Sequence, residues 1–123
     1  MTKARAILES SHGGYFSIEL DDEEQVIIGY YKNANAKASE WPDYHLGAIL
    51  PPDKLEDVAR RHAILTYKEG DFWVKSLDEH EIWFGPYVVT PGFFYRMFDG
   101  DMIRFGQAAL TVCIQSVGEA EMA

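Results

Sequence analysis

HAILTYKEGDFWVKSL, residues 62–77, decides the fold class. Two runs rich in β-branched and aromatic residues, HAILTYK at 62–68 and DFWVKSL at 71–77, flank Glu69-Gly70. Period-two runs separated by two residues ending in glycine mark a β-hairpin, because glycine supplies the positive φ that a tight antiparallel turn requires. The same alternation extends in both directions. Upstream lie ARAILES at 4–10 and YFSIEL at 15–20, joined across His12-Gly13-Gly14, with Phe16, Ile18 and Leu20 on one face. QVIIGYY at 25–31 is a near-continuous apolar run, the pattern of a strand buried on both faces. Downstream come EIWF, PYVV, FYRMF, MIRF and AALTVCIQSV at 108–117, with tight turns at Asp99-Gly100-Asp101 and Gly106-Gln107. Eight to eleven short strands, with a turn signal about every ten residues, predict an all-β sandwich of two sheets.

Between Lys32 and about Asp57 the alternation stops. Asn, Ala, Ser and three prolines break it, and only HLGAIL at 45–50 reads as a short strand. In DKLEDVARRHA, Leu55, Val58, Ala59 and His62 recur at helical spacing behind Pro51-Pro52, and Asp53 with Glu56 matches a capping box. The spacing predicts a helical turn or one short helix there. The acidic run Asp21, Asp22, Glu23 and Glu24 reads as a solvated turn.

At 123 residues the chain holds one domain with a real core and leaves no room for a second. No apolar stretch approaches the ~20 residues of a membrane helix, and MTKARAILES lacks the apolar core of a signal peptide, so the expected location is cytoplasmic or nuclear with no membrane partner. Eleven Lys and Arg against 20 Asp and Glu give a formal charge of −9, which disfavours nucleic acid as a partner. The single cysteine, Cys113, excludes an internal disulfide and a cysteine-rich zinc site. Alternation sets it opposite Leu110, Val112 and Ile114, a partly packed thiol rather than a nucleophile. No glycine-rich phosphate loop, paired histidines at metal spacing or nucleophile elbow is present. The His–carboxylate neighbours Asp43 with His45 and His80 with Glu81 read as incidental. No catalytic residue, metal site or cofactor is expected, and the chain reads as a non-enzyme.

VIIGYY, HLGAIL, VARRHAILTYKEGDFWVKSL and MFDGDMIRFGQAALTVCI follow one another in an order and spacing that resemble the forkhead-associated (FHA) domain family. The resemblance covers about residues 5–117, giving an expected domain over 1–118 and a disordered tail over 119–123. It implies an FHA-like (SMAD/FHA) β-sandwich of about eleven strands, with a long excursion between the third strand and the fourth or fifth. It also implies a module of larger signalling proteins that binds phosphothreonine peptides through loops at one end.

Four positions of the resemblance bear on that activity. An arginine normally follows the glycine of the third strand; here Tyr30 follows Gly29. A serine normally stands three residues before the histidine; here it is Ala59. The histidine is kept as His62, which in the family braces the binding loop. The Asn-Gly pair that normally follows the sixth strand is replaced by Asp78, Glu79, His80 and Glu81. Arg60 and Arg61 could stand in as phosphate donors, or could solvate the loop or pair with Asp57 and Glu56.

Residues 82–98 hold Trp83, Phe84, Tyr87, Phe93, Phe94, Tyr95 and Phe98. Alternation cannot bury both members of a pair such as Trp83-Phe84, so some rings must face outward, open to a partner or covered by the 32–57 excursion. The expected function is a phosphate-independent protein-interaction module, a scaffold or assembly domain. Its partner-binding residues would be Trp83, Phe84, Tyr87, Tyr30, Arg60 and Arg61, with Gly29 and His62 as braces. The alternative is a phosphothreonine-peptide reader that uses Arg60 and Arg61 in place of the usual arginine and serine.

Overall fold

In the computed structural model, which describes residues 4–30, 41–77 and 80–116, eleven strands form two sheets. In chain order they are β1 (Ala4–Ser10), β2 (Tyr15–Leu20), β3 (Gln25–Gly29), β4 (Tyr44–His45), β5 (Ala63–Lys68), β6 (Asp71–Ser76), β7 (Ile82–Phe84), β8 (Tyr87–Val88), β9 (Phe94–Met97), β10 (Met102–Phe105) and β11 (Ala108–Ser116). One sheet runs β2-β1-β11-β10-β7-β8 and the other β4-β3-β5-β6-β9. Among the described residues every neighbouring pair is antiparallel except β3–β4.

The β5–β6 hairpin stands where the sequence puts it, in register from Ala63↔Ser76 to Lys68↔Asp71. Glu69 (φ 55) and Gly70 (φ 83) both take positive φ, the requirement of a two-residue turn whose twist matches its strands. Alternation then sorts the side chains. Ala6 and Leu8 of β1, Ile18 and Leu20 of β2, Leu65 of β5, Phe72 and Val74 of β6, Ile103 and Phe105 of β10 and Leu110 and Val112 of β11 form a shared core. β3 is less enclosed than its apolar run predicts: Val26 and Ile27 are half-buried, while Ile28 and Gly29 are buried. Tyr31, the last residue of that predicted run, lies outside the described residues, as do 32–40 of the excursion and the tail 119–123.

Two local expectations are corrected. HLGAIL is not a strand: β4 ends at His45 and a 3-10 turn, Leu46–Ala48, follows. The His45 Nδ1 accepts the Gly47 N–H at 3.1 Å, and a Cβ at Gly47 would sit 2.7 Å from the His45 ring, so the chain turns tightly around that imidazole. The helix predicted over DKLEDVARRHA shrinks to a 3-10 turn at Pro52–Lys54, with Pro51 at its start and no side-chain cap from Asp53. Beyond that turn, the Asp57 Oδ1 accepts the Gln107 N–H at 3.1 Å across the molecule. The apolar residues of the pattern still bury. Leu46, Ile49, Leu50, Leu55 and Val58 join the main core, so the 41–58 part of the excursion closes that core rather than building a second one over the aromatic segment.

Candidate functional site

The end of β3, the loop before β5 and the loop after β6 meet around Gly29 and His62. A Cβ at Gly29 would lie 2.0 Å from the Arg60 carbonyl oxygen and 2.8 Å from that of Ala59, so only glycine lets the loop lie flat on the strand. The Tyr30 N–H donates to the Ala59 carbonyl (2.9 Å) and the His62 N–H to the Ile28 carbonyl (2.9 Å). Backbone alone therefore zips the loop to β3.

His62 fastens it from inside. The side chain is 1% exposed, edge-on to Phe105 at 5.6 Å and beside His80 at 5.3 Å. Its Nδ1 accepts the Ala59 N–H at 3.1 Å. That bond requires a bare Nδ1, so the proton sits on Nε2 and is donated to the Glu81 carbonyl at 2.6 Å. Burial, the largest influence, holds the His62 pKa below its ordinary value, opposed by the Glu81 carbonyl and helped by His80. The neutral ring thus ties the loop before β5 to the loop before β7. Ser76 Oγ donates to the His80 carbonyl, and Leu77 N–H donates to the His62 carbonyl at 3.0 Å.

The residues expected to bind a ligand at this end are placed as follows. The Tyr30 ring is half-buried and meets the His45 ring edge-on at 5.2 Å, so it packs at the β3–β4 junction where a flexible guanidinium would otherwise reach out. Ala59 offers a methyl, and its N–H is spent on His62. Arg60 and Arg61 are exposed on a turn. The Asp57 carboxylate reaches the β10–β11 turn, where it holds Gln107 and where a Cβ on Gly106 (φ 61) would lie 2.5 Å from it. Asp78 and Glu79 lie outside the described residues.

The aromatic partner residues lie elsewhere. Trp83, Phe84 and Tyr87 belong to the β7–β8 hairpin at the edge of the six-stranded sheet, in register Trp83↔Val88 and Phe84↔Tyr87. Trp83 is half-buried on the outer face, its Nε1 donating to Glu81 Oε1 and its ring carrying the Arg104 guanidinium at 5.0 Å. Phe84 packs against the core, and Tyr87 is 75% exposed. The structure thus groups Gly29, Tyr30, Arg60, Arg61 and His62 at one site and Trp83, Phe84 and Tyr87 at another. Met102 and Arg104 of β10 belong with the second group. Sequence reasoning missed them because only the β10–β7 register, Arg104↔Trp83, brings them there.

Asp43 Oδ2 accepts the Ile27 N–H at 2.7 Å, and Glu81 is engaged with Trp83. Among the described residues no cluster of three or more His, Cys, Asp or Glu could hold a metal ion. Cys113 is half-buried, and burial together with the Asp99 charge raises its thiol pKa. No described helix is long and apolar enough to cross a membrane.

The FHA domain family model matches residues 42–106. A search of curated proteins finds no match. Among solved structures, a chain from a study of phosphothreonine-dependent FHA domain interactions matches with a TM-score of 0.60 at 18% identity, covering 92% of this chain and 97% of that one. An engineered FHA domain with the Myc-pTBD peptide gives 0.65 at 16% identity, covering 99% of this chain and 98% of that one. The yeast Pml1 splicing factor, studied for its integration into the RES complex, gives 0.66 at 12% identity, covering 93% of this chain and 80% of that one. At these identities the shared property is the β-sandwich itself.

Proposed function

The chain belongs to the FHA domain family, and from that premise we propose that it is a protein-interaction module whose recognition does not depend on phosphate. FHA domains are in general protein-interaction modules; the finer reading concerns what this one recognises. One observation carries it. At the two positions where the family resemblance calls for phosphate donors stand Tyr30, packed on His45, and Ala59, whose N–H is taken by His62. Each charge-assisted hydrogen bond to an anion is worth about 1.5–3 kcal/mol, so losing two weakens phosphopeptide binding by at least about a hundredfold. Recognition then falls to the surface of the β7–β8 hairpin, where Tyr87 is exposed beside the half-buried Trp83 and Phe84, in a scaffold or assembly role. The yeast Pml1 splicing factor, with a similar fold and a place in the RES complex, is a precedent for that role.

A second reading, phosphothreonine recognition through Arg60 and Arg61, draws on the exposure of both side chains at the loop end and on solved relatives bound to phosphopeptides, such as the Mycobacterium tuberculosis EmbR complex. Titrating matched phosphothreonine and threonine peptide libraries against the protein separates the two. Equal binding of both libraries is the expected result. Micromolar binding confined to phosphopeptides, and abolished by Arg60→Ala with Arg61→Ala, would establish the second reading instead.

A further inference from the structure

The two bonds of the His62 ring admit only one protonation state. Nδ1 takes the Ala59 N–H and Nε2 gives its proton to the Glu81 carbonyl, so the ring serves as one acceptor and one donor, which the neutral form alone supplies. A second proton would have to sit on Nδ1, where it would meet another donor, the Ala59 N–H, with no acceptor between them. A charged ring and the bond to Ala59 therefore exclude each other.

Among the described residues, the charged and titratable groups around the ring come from two loops. On the loop before β5, Asp57 favours a charge on the ring, and Arg60 and Arg61 are exposed beyond it; on the loop before β7, Glu81 favours that charge, while the His80 ring, 5.3 Å away, opposes it. β3 and β10 bring Ile28 and Phe105, which carry no charge. Both carboxylates are bonded elsewhere, Asp57 to the Gln107 N–H and Glu81 to the Trp83 indole, so neither stands ready to accept a proton from Nδ1.

The part that gives way is residues 59–61. None of the three is buried, whereas Leu55 and Val58 before them and His62 and Ala63 after them are core residues. Ala59 is tied down by polar contacts, its N–H on the His62 ring and its carbonyl on the Tyr30 N–H. A short unburied stretch between two buried anchors can lift without opening the core, at a lower cost than global unfolding.

We propose that His62 is an acid-released clamp: a proton on its ring frees residues 59–61 from β3 while the sandwich stays folded, so that the rigid loop carrying Arg60 and Arg61 becomes a mobile one. The inference is independent of what the module recognises. Its sign follows from linkage. In the open loop the ring regains its ordinary value of 6.5, whereas burial in the closed loop holds it lower. Opening is therefore unassisted above 6.5, and it gains up to about tenfold per pH unit as pH falls from there through the lower closed value.

The test follows the isotope-labelled full chain from pH 7.5 down to 5, reading the His62 ring-nitrogen shifts and the protection of single amides against hydrogen exchange. Protection at Ala59 and Tyr30 should fall together as the His62 ring titrates, while the Val112 amide, bonded to the Asp101 carbonyl, keeps its protection. His62→Gln, whose amide can accept from Ala59 and donate to Glu81 but cannot take up a proton, should leave the loop protected throughout. His80→Gln keeps His62 and removes the opposing ring, so it should move the loop transition to higher pH. Loss of protection at Ala59 and Val112 together, a charged His62 ring with Ala59 still protected, the same transition in His62→Gln, or a transition that His80→Gln fails to raise would each overturn the proposal.

Discussion

The loop end and the β8–β9 mouth are built on opposite principles. At the loop end the backbone and the His62 ring are turned inward while Arg60 and Arg61 stay exposed: the His62 ring satisfies Ala59 and Glu81, the Ile28 and Ala59 carbonyls take the His62 and Tyr30 N–H groups, and Asp57 holds Gln107. At the mouth lie the end strands of both sheets, and several large apolar side chains there are exposed. A loop whose backbone and imidazole are bonded to its own scaffold is held rigidly. A surface that the fold leaves uncovered costs little stability to alter and has much to give a partner. Stability should therefore respond to substitutions at the first region and binding to substitutions at the second.

The largest effect should come from His62→Ala. It removes a fully buried ring from against Phe105 and strands the Ala59 N–H and Glu81 carbonyl, a loss of about 3–5 kcal/mol read from urea unfolding. A loss under about 1 kcal/mol would break the contrast, because the ring would then be an ornament of the loop. Gly29→Ala comes next. With a Cβ required 2.0 Å from a carbonyl oxygen the loop must lift off β3, at a cost of about 2–3 kcal/mol, visible as displaced amide resonances at Ala59 through His62.

Acidification should act on the same clamp. His62 has a folded pKa below its unfolded value of 6.5, so the neutral form is favoured by folding. Its contribution is complete above that unfolded value and is lost as pH falls from there through the lower folded value. Urea midpoints measured from pH 7.5 down to 5 should fall more steeply for the natural chain than for His62→Gln; parallel curves would show that the ring is not the titrating group. The smallest effect belongs to the mouth. Tyr87→Ala and Met102→Glu should each shift stability by less than about 0.5 kcal/mol, and a larger shift would mean that this surface is part of the core after all.

Much of the sandwich could be read directly because period-two alternation reports which face is buried, and β1, β2, β6, β10 and most of β11 follow it closely. The excursion resisted reading because its anchors, Leu46, Ile49, Leu50 and Leu55, enter the core from 3-10 and turn backbone that has no period to detect. Of the helical turn or short helix expected over 53–62, only a 3-10 turn at Pro52–Lys54 forms, and the contacts beyond it include long-range ones. Asp57 bonds a residue 50 positions away, and a pull of that kind leaves no local mark. At the loop end the identities of Tyr30 and Ala59 were legible only through the family resemblance, while the use of the Ala59 N–H by His62 needed coordinates. At the mouth, adjacency in Trp83-Phe84 already required one ring to face outward. Which one, and that it would lie under Arg104, depended on strand register.

The bond between Asp57 and the β10–β11 turn has a consequence for the order in which the molecule takes shape. It joins the loop before β5 to a turn 50 residues further along, so closing it carries a large loop-closure entropy and cannot precede the last hairpin. During synthesis the β5–β6 hairpin can form as soon as its own residues emerge. The Asp57 tie of the loop end must wait for Gln107, although the backbone bonds of that loop to β3 need only residues up to His62.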